Sequence, residues 1–206
     1  MLVSFLRWLN PLRLYRLRDH LWPLALMRFR CSRLGIDLPT STTIRGGSFY
    51  VFKHPQATIQ IGEHVSFVNS LQANPAGVIH PTVLRAAVPG AKLMIGDHVG
   101  ISGAIICCES AVTIGDHCRL GANCSIYDTD YHAINYLERR HDNNDAVKRA
   151  PVVIGSDCWI GANAMILKGV SIGPRSVIGA NSVVVHDIPE DSIAAGNPAK
   201  VIGSAL

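Results

Sequence analysis

Residues 154–184 read IGSDCWIGANAMILKGVSIGPRSVIGANSVV, and an aliphatic side chain returns every six positions, at Ile154, Ile160, Ile166, Ile172, Ile178 and Val184. A six-residue period matches neither the turn of an α-helix nor the two-residue alternation of a lone strand. A small or β-branched residue follows each of the first five aliphatics after four positions, at Cys158, Ala164, Val170, Ser176 and Ser182. Glycine follows the aliphatic directly at Gly155, Gly161, Gly173 and Gly179. A short fixed period of this kind predicts a parallel β-helix, each unit one short strand and a turn. The aliphatic points into a shared interior, the small residue fits beside it, and glycine or asparagine eases the corner. One unit buries too little apolar surface to stand alone, so the coils must stack.

Upstream the period persists with interruptions. Ile61 and Phe67, then Ile95 and Ile101, then Ile114, Leu120 and Ile126 mark further units. Ile101 and Ile114 are thirteen apart, which predicts one extra residue at a corner. Ile126 and Ile154 are twenty-eight apart, so a loop over 127–153 must leave the coil there. The stretch from Asn74 to Gly90, with three prolines, is a loop or an irregular coil. Irregular first strands are expected between Ile36 and Lys53. After Asp187 the chain leaves the repeat through Pro189 and Gly196-Asn197-Pro198, with a last strand near Lys200 to Ile202. The predicted fold is an all-β solenoid over 36–203.

The 206 residues suffice for a substantial core, and 48% hydrophobic content with 6% aromatics suits an interior of Ile, Val and Ala. The net charge of +4 is uneven: seven arginines against Asp19 give residues 1–35 a charge of +6, leaving −2 on the rest. That segment mixes Leu, Phe, Trp and Met with arginine, and its apolar runs are too interrupted for a membrane span or a signal-peptide core. Asn10-Pro11 reads as a helix start, Pro23 as a second start and Gly35 as a stop, predicting two short helices. Two roles fit them: capping the first coil, or lying as a basic amphipathic element on an anionic membrane surface. Nucleic acid is not an expected partner, because no readout motif accompanies the charge. Cys118, Cys124 and Cys158 fill the small-residue slot and no CxxC occurs, so the cysteines read as reduced packing residues of a cytoplasmic protein.

The chemistry is expected in the long loop, which opens Tyr127-Asp128-Thr129-Asp130-Tyr131-His132. In an extended chain Asp128, Asp130 and His132 share one face. A carboxylate beside an imidazole holds its tautomer and stabilises its protonated form, making a better general base. A solvated polar loop and an Asp-Asp-His metal site are the alternatives from these residues alone. Trp159 precedes Ile160 and therefore points outward, where it reads as an interface or ligand wall. His98 and His117 occupy equivalent Ile-Gly-Asp-His corners and read as ordinary corner residues.

The run from Ile154 through AGNPAKVIG, with YDTDYH upstream, resembles the hexapeptide-repeat acyltransferases of the maltose and galactoside O-acetyltransferase branch, and still more the sugar O-acetyltransferases of lipopolysaccharide and capsule biosynthesis. The resemblance covers roughly residues 95–203. It implies a left-handed parallel β-helix, a homotrimer and acetyl-CoA bound between subunits, with no metal. Carried over position by position, it implies that His132 is the catalytic histidine, and the shared-face reading above sets Asp130 and Asp128 beside it as its assistants. It places the acceptor-side polar position on Ser102, where the galactoside enzyme has asparagine. The coenzyme-lining positions fall on Ala162, Ala180, Val185, His186 and Lys200, with Trp159 nearby. The arginine-rich opening has no match in that branch, which directs the expected acceptor away from a free disaccharide and toward a surface polysaccharide or lipid-linked glycan at the inner face of the cytoplasmic membrane.

Rival functions remain open on sequence grounds. The same loop serves an amino-sugar N-acetyltransferase or an antibiotic acetyltransferase. A metal-dependent lyase like the γ-class carbonic anhydrases requires three convergent histidines. A non-catalytic trimeric scaffold with a degenerate loop is the last alternative.

Overall fold

The structure is a computed structural model, and it describes residues 21–206. The helix expected around Asn10-Pro11 lies outside these residues. The second predicted helix is present as α1, Trp22–Arg33, with Pro23 in its first turn. It ends where predicted: Gly35 adopts φ +66°, and the Ile36 N–H returns to the Cys31 carbonyl at 2.9 Å. Met27 and Cys31 are buried in the solenoid's core. The opposite side leaves Trp22, Leu26 and Phe29 exposed.

The strands follow in chain order. The first coils use β1 (Thr43–Arg45), β2 (Tyr50–Lys53), β3 (Thr58–Ile61), β4 (Ser66–Val68), β5 (Val83–Ala86) and β6 (Lys92–Ile95). The middle coils use β7 (Gly100–Ser102), β8 (Ile105–Cys108), β9 (Ala111–Ile114), β10 (Arg119–Leu120) and β11 (Ser125–Tyr127). Beyond the long loop come β12 (Val152–Ile154), β13 (Trp159–Ile160), β14 (Met165–Ile166), β15 (Ser171–Ile172), β16 (Val177–Ile178), β17 (Val183–Val184), β18 (Ser192–Gly196) and β19 (Ala199–Ser204).

As far as β17 every third strand joins the same sheet, giving a three-sided prism. The first face runs β1-β4-β7-β10-β13-β16-β18-β19, the second β2-β5-β8-β11-β14-β17, and the third β3-β6-β9-β12-β15. All pairings are parallel except the terminal β18–β19 hairpin. The six-residue period becomes three columns of stacked aliphatics. On the first face Ile44, Phe67, Ile101, Leu120, Ile160 and Ile178 lie in register. Leu84, Ile106, Ile126, Ile166 and Val184 do so on the second, and Ile61, Ile95, Ile114, Ile154 and Ile172 on the third. The predicted small residues Cys158, Ala164, Val170, Ser176 and Ser182 are all buried between them. At Gly161 an added Cβ would lie 2.5 Å from the Ala180 backbone nitrogen, so the close approach of successive coils requires glycine there.

The interruptions also find their places. The 74–90 stretch is part loop and part coil, since β5 lies inside it, and the insertion before β5 is tied down where Asn123 Nδ2 donates to the Gly77 carbonyl at 2.8 Å. The thirteen residues from Ile101 to Ile114 divide into five to Ile106 and eight beyond it, so the lengthening falls at the β8–β9 corner, at Glu109-Ser110. All six cysteines are free and buried. Burial pushes the Cys31 thiol up to about 11 and those of Cys108 and Cys124 up to about 12, which suppresses thiolate chemistry.

Candidate active site

The long loop leaves between β11 on the second face and β12 on the third, and it carries the short helix α2, Tyr136–Arg140, and a single 3₁₀ turn at Asn144–Ala146. Asn135 caps α2 by accepting the Leu137 N–H. The stem is zipped by the Thr129–Arg149 bridge, with Ala150 N–H donating to the Asp128 carbonyl at 2.9 Å and Asp130 N–H to the Lys148 carbonyl at 3.0 Å.

The expected shared face of Asp128, Asp130 and His132 is corrected by this geometry. The chain is not extended through 128–132: Tyr131 adopts φ +60°, and the His132 N–H folds back to the Asp130 carbonyl at 2.7 Å. Asp128 is fully buried and accepts the backbone N–H groups of Glu109 and Ser110, each at 2.7 Å. It satisfies the orphan donors created by the extra corner residue, and it does not face the histidine. Burial raises the Asp128 pKa, and the two backbone N–H groups only partly counter that. Asp130 Oδ1 pairs with Lys168 Nζ at 2.6 Å, while its buried Oδ2 has no partner among the described residues. His132 is exposed, and among the described residues no side chain hydrogen-bonds its ring.

Sequence reasoning missed the group that anchors this arm. The Glu109 carboxylate, only 7% exposed, takes Arg85 Nη1 at 3.0 Å, Arg149 Nε at 2.9 Å and the Thr129 hydroxyl at 3.2 Å. Burial works to raise its pKa, but the hydrogen bonds from the two guanidinium groups and their charges prevail and hold it below the ordinary glutamate value. Arg85 also lies 5.5 Å over the Tyr131 ring, linking the anchor to the residue before His132. The thirteen-residue spacing flagged this corner, but nothing in the spacing said that its carboxylate faces the stem.

The other predicted residues lie elsewhere on the prism. Ser102 and Trp159 share a groove of about 460 Å³ on the first face, and Trp159 is 57% exposed, as its outward phase requires. Ala162 and Ala180 occupy equivalent positions where successive coils turn from the first to the second face, the Asn181 N–H meeting the Ala162 carbonyl at 2.9 Å. Lys200 sits on the first face, in β19 opposite Ala195. Val185 and His186 follow β17, at the corner from the second to the third face from which the loop also springs. One chain therefore presents two separate sets: His132, Val185 and His186 at one edge, and Ser102, Trp159, Ala162, Ala180 and Lys200 on the first face and its far corner. His98 and His117 do not converge on a point. With His64 they form a ladder of parallel rings, centroids 4.7 Å apart, and among the described residues no group of three or more metal-ligating side chains is placed to hold an ion.

Comparison with known proteins agrees with this architecture. Residues 151–186 match the bacterial transferase hexapeptide family (six repeats), and residues 111–126 match the hexapeptide repeat of succinyl-transferase. A Saccharomyces cerevisiae protein named as an acetyltransferase is 43% identical over 114 residues, 55% of this chain and 56% of its own length. The galactoside O-acetyltransferase of Escherichia coli K12 is 41% identical over 94 residues, 46% of this chain and 44% of its own. The crystal structure of the polySia-specific acetyltransferase NeuO superposes with a TM-score of 0.56 at 28% identity, covering 76% of this chain and 61% of that one. The fold is the left-handed parallel β-helix. Residues 111–126 and 151–186 thus carry hexapeptide repeats of the transferase type, and the chain spans about half the length of the curated relatives it matches.

Proposed function

We propose that the protein is an acetyl-CoA-dependent O-acetyltransferase acting on a sugar hydroxyl of a surface polysaccharide or of its lipid-linked precursor. The observation that carries the reading is the build of the loop. A solvent-exposed histidine stands on an arm whose stem is held by Asp128, Glu109 and the Asp130–Lys168 pair, at an edge of a transferase-type hexapeptide helix. The acetyltransferase names of the curated relatives support the reaction class.

In the reaction, the neutral His132 ring takes the proton of the acceptor hydroxyl as that oxygen attacks the thioester carbonyl. The tetrahedral intermediate collapses with cleavage of the C–S bond, and the imidazolium returns its proton to the departing thiolate. In the reaction the Asp130 carboxylate, whose buried Oδ2 has no partner among the described residues, must turn toward the ring to accept its second N–H, a hydrogen bond that the free chain does not make. Asp128 acts as a positioning residue through the stem. Trp159, Ala162, Ala180 and Lys200, with Val185 and His186, line the coenzyme path, and Lys200 pairs with a phosphate.

The two residue sets lie on different edges of one prism, so a site using both is completed by a second copy of the chain. A homotrimer places the histidine edge of each subunit against the first face of the next. The exposed apolar side of α1, flanked by Arg30 and Arg33, suits contact with an anionic membrane surface, where lipid-linked glycans are assembled on the cytoplasmic side.

Thiol release from acetyl-CoA, measured with a panel of glycan and amino-sugar acceptors, tests the reading. Acceptor-stimulated release by the wild type, reduced at least a hundredfold in His132→Ala with acetyl-CoA affinity retained, is the expected result. A His132→Ala enzyme as fast as wild type removes the histidine from the mechanism. Stimulation by amino sugars alone replaces O- with N-acetylation.

A further inference from the structure

The groove on the first face is lined by His64, His98, His117, Arg119, Ser102 and Trp159, among others, and no acidic side chain lines it. The carboxylates of the same corner turn away from it. Asp97 Oδ1 accepts the Glu63 N–H at 2.7 Å, Asp116 Oδ1 accepts the Asp97 N–H at 2.8 Å, and Glu63 Oε2 takes the Ser41 hydroxyl. Asp157, at positive φ one coil beyond His117, stands outside the lining. The three imidazoles stand where each coil turns onto the first face, all at φ between 57° and 59°, which stacks them along one side of the groove.

Arg119 lies across the floor. A Cβ on Gly100 would meet its Cδ at 3.2 Å, so the glycine beneath leaves space for the guanidinium to lie flat over the sheet. Its Nη1 is fixed by the carbonyls of His98 and Cys118, at 2.6 and 3.2 Å, and among the described residues no carboxylate pairs with it. The remaining guanidinium N–H groups are left for a ligand, and a guanidinium presents a fork suited to carboxylate or phosphate. Trp159 stands at the end of the groove on β13, an aromatic wall for a sugar ring.

Along the first face the groove spans β4 to β13, whereas the coenzyme positions Ala162, Ala180 and Lys200 belong to the coils from β13 to β19. Trp159 is at the junction. The arginine and imidazole lining therefore faces the acceptor end and not the donor's phosphates.

We infer that the groove is an acceptor site for an anionic sugar, one bearing a carboxylate or a phosphate, with Arg119 and the His64–His98–His117 ladder holding the anion and Trp159 stacking on the ring. The inference rests on the acetyltransferase reading for the hydroxyl's fate, but not for binding.

Two measurements separate them. Calorimetric titration of the full-length protein with a methyl glycoside, the matching methyl uronide and the matching sugar phosphate reads binding without turnover. The charged ligands are expected to bind at least tenfold more tightly than the neutral one, and whichever of the two binds tighter identifies the anion. Arg119→Gln is expected to lose about tenfold in affinity for them, with acetyl-CoA affinity within twofold of wild type. His98→Asn, whose side chain tolerates the left-handed corner as Asn163 and Asn181 do, is expected to lose several-fold. Equal affinity for neutral and charged glycosides overturns the inference. So does an Arg119→Gln variant that loses acetyl-CoA affinity instead, since the groove then serves the donor. Charged-ligand binding without any thiol release leaves the site standing and removes the acetyltransferase reading.

Discussion

At the scale of single residues, Glu109 is the point on which the histidine arm depends. Its carboxylate holds Arg85 from β5, Arg149 from the far end of the loop and Thr129 from the near end. Breaking a fully buried pair costs roughly 3–5 kcal/mol. Both arginines are about 30% exposed, so solvent screens the pairs and Glu109→Gln is expected to cost about 2 kcal/mol. The pH dependence has a definite sign. Because the folded state lowers the Glu109 pKa, its contribution is complete above the unfolded value of about 4.3 and is lost as the pH falls through the lower folded value. Asp128 has the opposite sign, since its raised pKa makes its ionisation a cost that fades on acidification. Denaturant melts across pH 2–7 should show a steeper acid-side loss for wild type than for Glu109→Gln. Parallel curves would mean that the anchor adds nothing to stability. The loop that carries His132 was legible from the twenty-eight-residue gap, but the setting of the histidine was not. Period-two reasoning assumes an extended chain, and the positive φ at Tyr131 with the recruitment of Asp128 by a distant corner are tertiary events that local spacing does not encode.

Among the elements, the strands were the most legible, because a six-residue column of aliphatics admits one stacking register. Ile154 to Val184 in the sequence becomes the top of three columns in space. Less regular units were harder: Val83–Ala86 joins the second face although three prolines surround it, because the pairing with β8 outweighs the broken period. The helix α1 has one side packed on the core and one side open. Met27 and Cys31 cap the core, while Trp22, at 76% exposure, and Phe29, at 61%, face outward beside Arg30 and Arg33. Deleting residues 1–35 to test membrane contact would therefore also open the core. The cleaner variant is Trp22→Ser with Phe29→Ser, which leaves the buried side intact. Exposed aromatic anchors dominate interfacial binding, so this variant is expected to bind vesicles of mixed phosphatidylglycerol and phosphatidylcholine at least tenfold more weakly, with an unchanged melting temperature. Equal sedimentation of both proteins with the vesicles would assign α1 to capping alone.

For the whole molecule, the question is whether one prism contains a site. His132 leaves from the edge between the second and third faces, whereas Trp159 and the groove belong to the first face, so the chain separates the proposed base from the surface proposed to hold its substrates. The proposed cyclic trimer would resolve this by juxtaposing unlike edges of neighbouring copies, a heterologous contact that closes after three. The arrangement makes a prediction that a self-contained monomer does not. Coexpressing His132→Ala with Trp159→Ala, each inactive alone, builds trimers in which some interfaces combine an intact histidine edge with an intact first face. With equal amounts and random assembly, an interface receives both with a chance of about one in four. The unselected random population should therefore recover activity at about a quarter of the wild-type level per site, and mixed trimers isolated through a different tag on each variant at about a third, because each holds one complementing interface of its three. A site formed within one chain would give no recovery at any ratio, because each subunit would carry one lesion in its own site. Retained activity of Trp159→Ala on its own would instead remove that side chain from the substrate path, and Lys200→Ala would then replace it as the complementing partner.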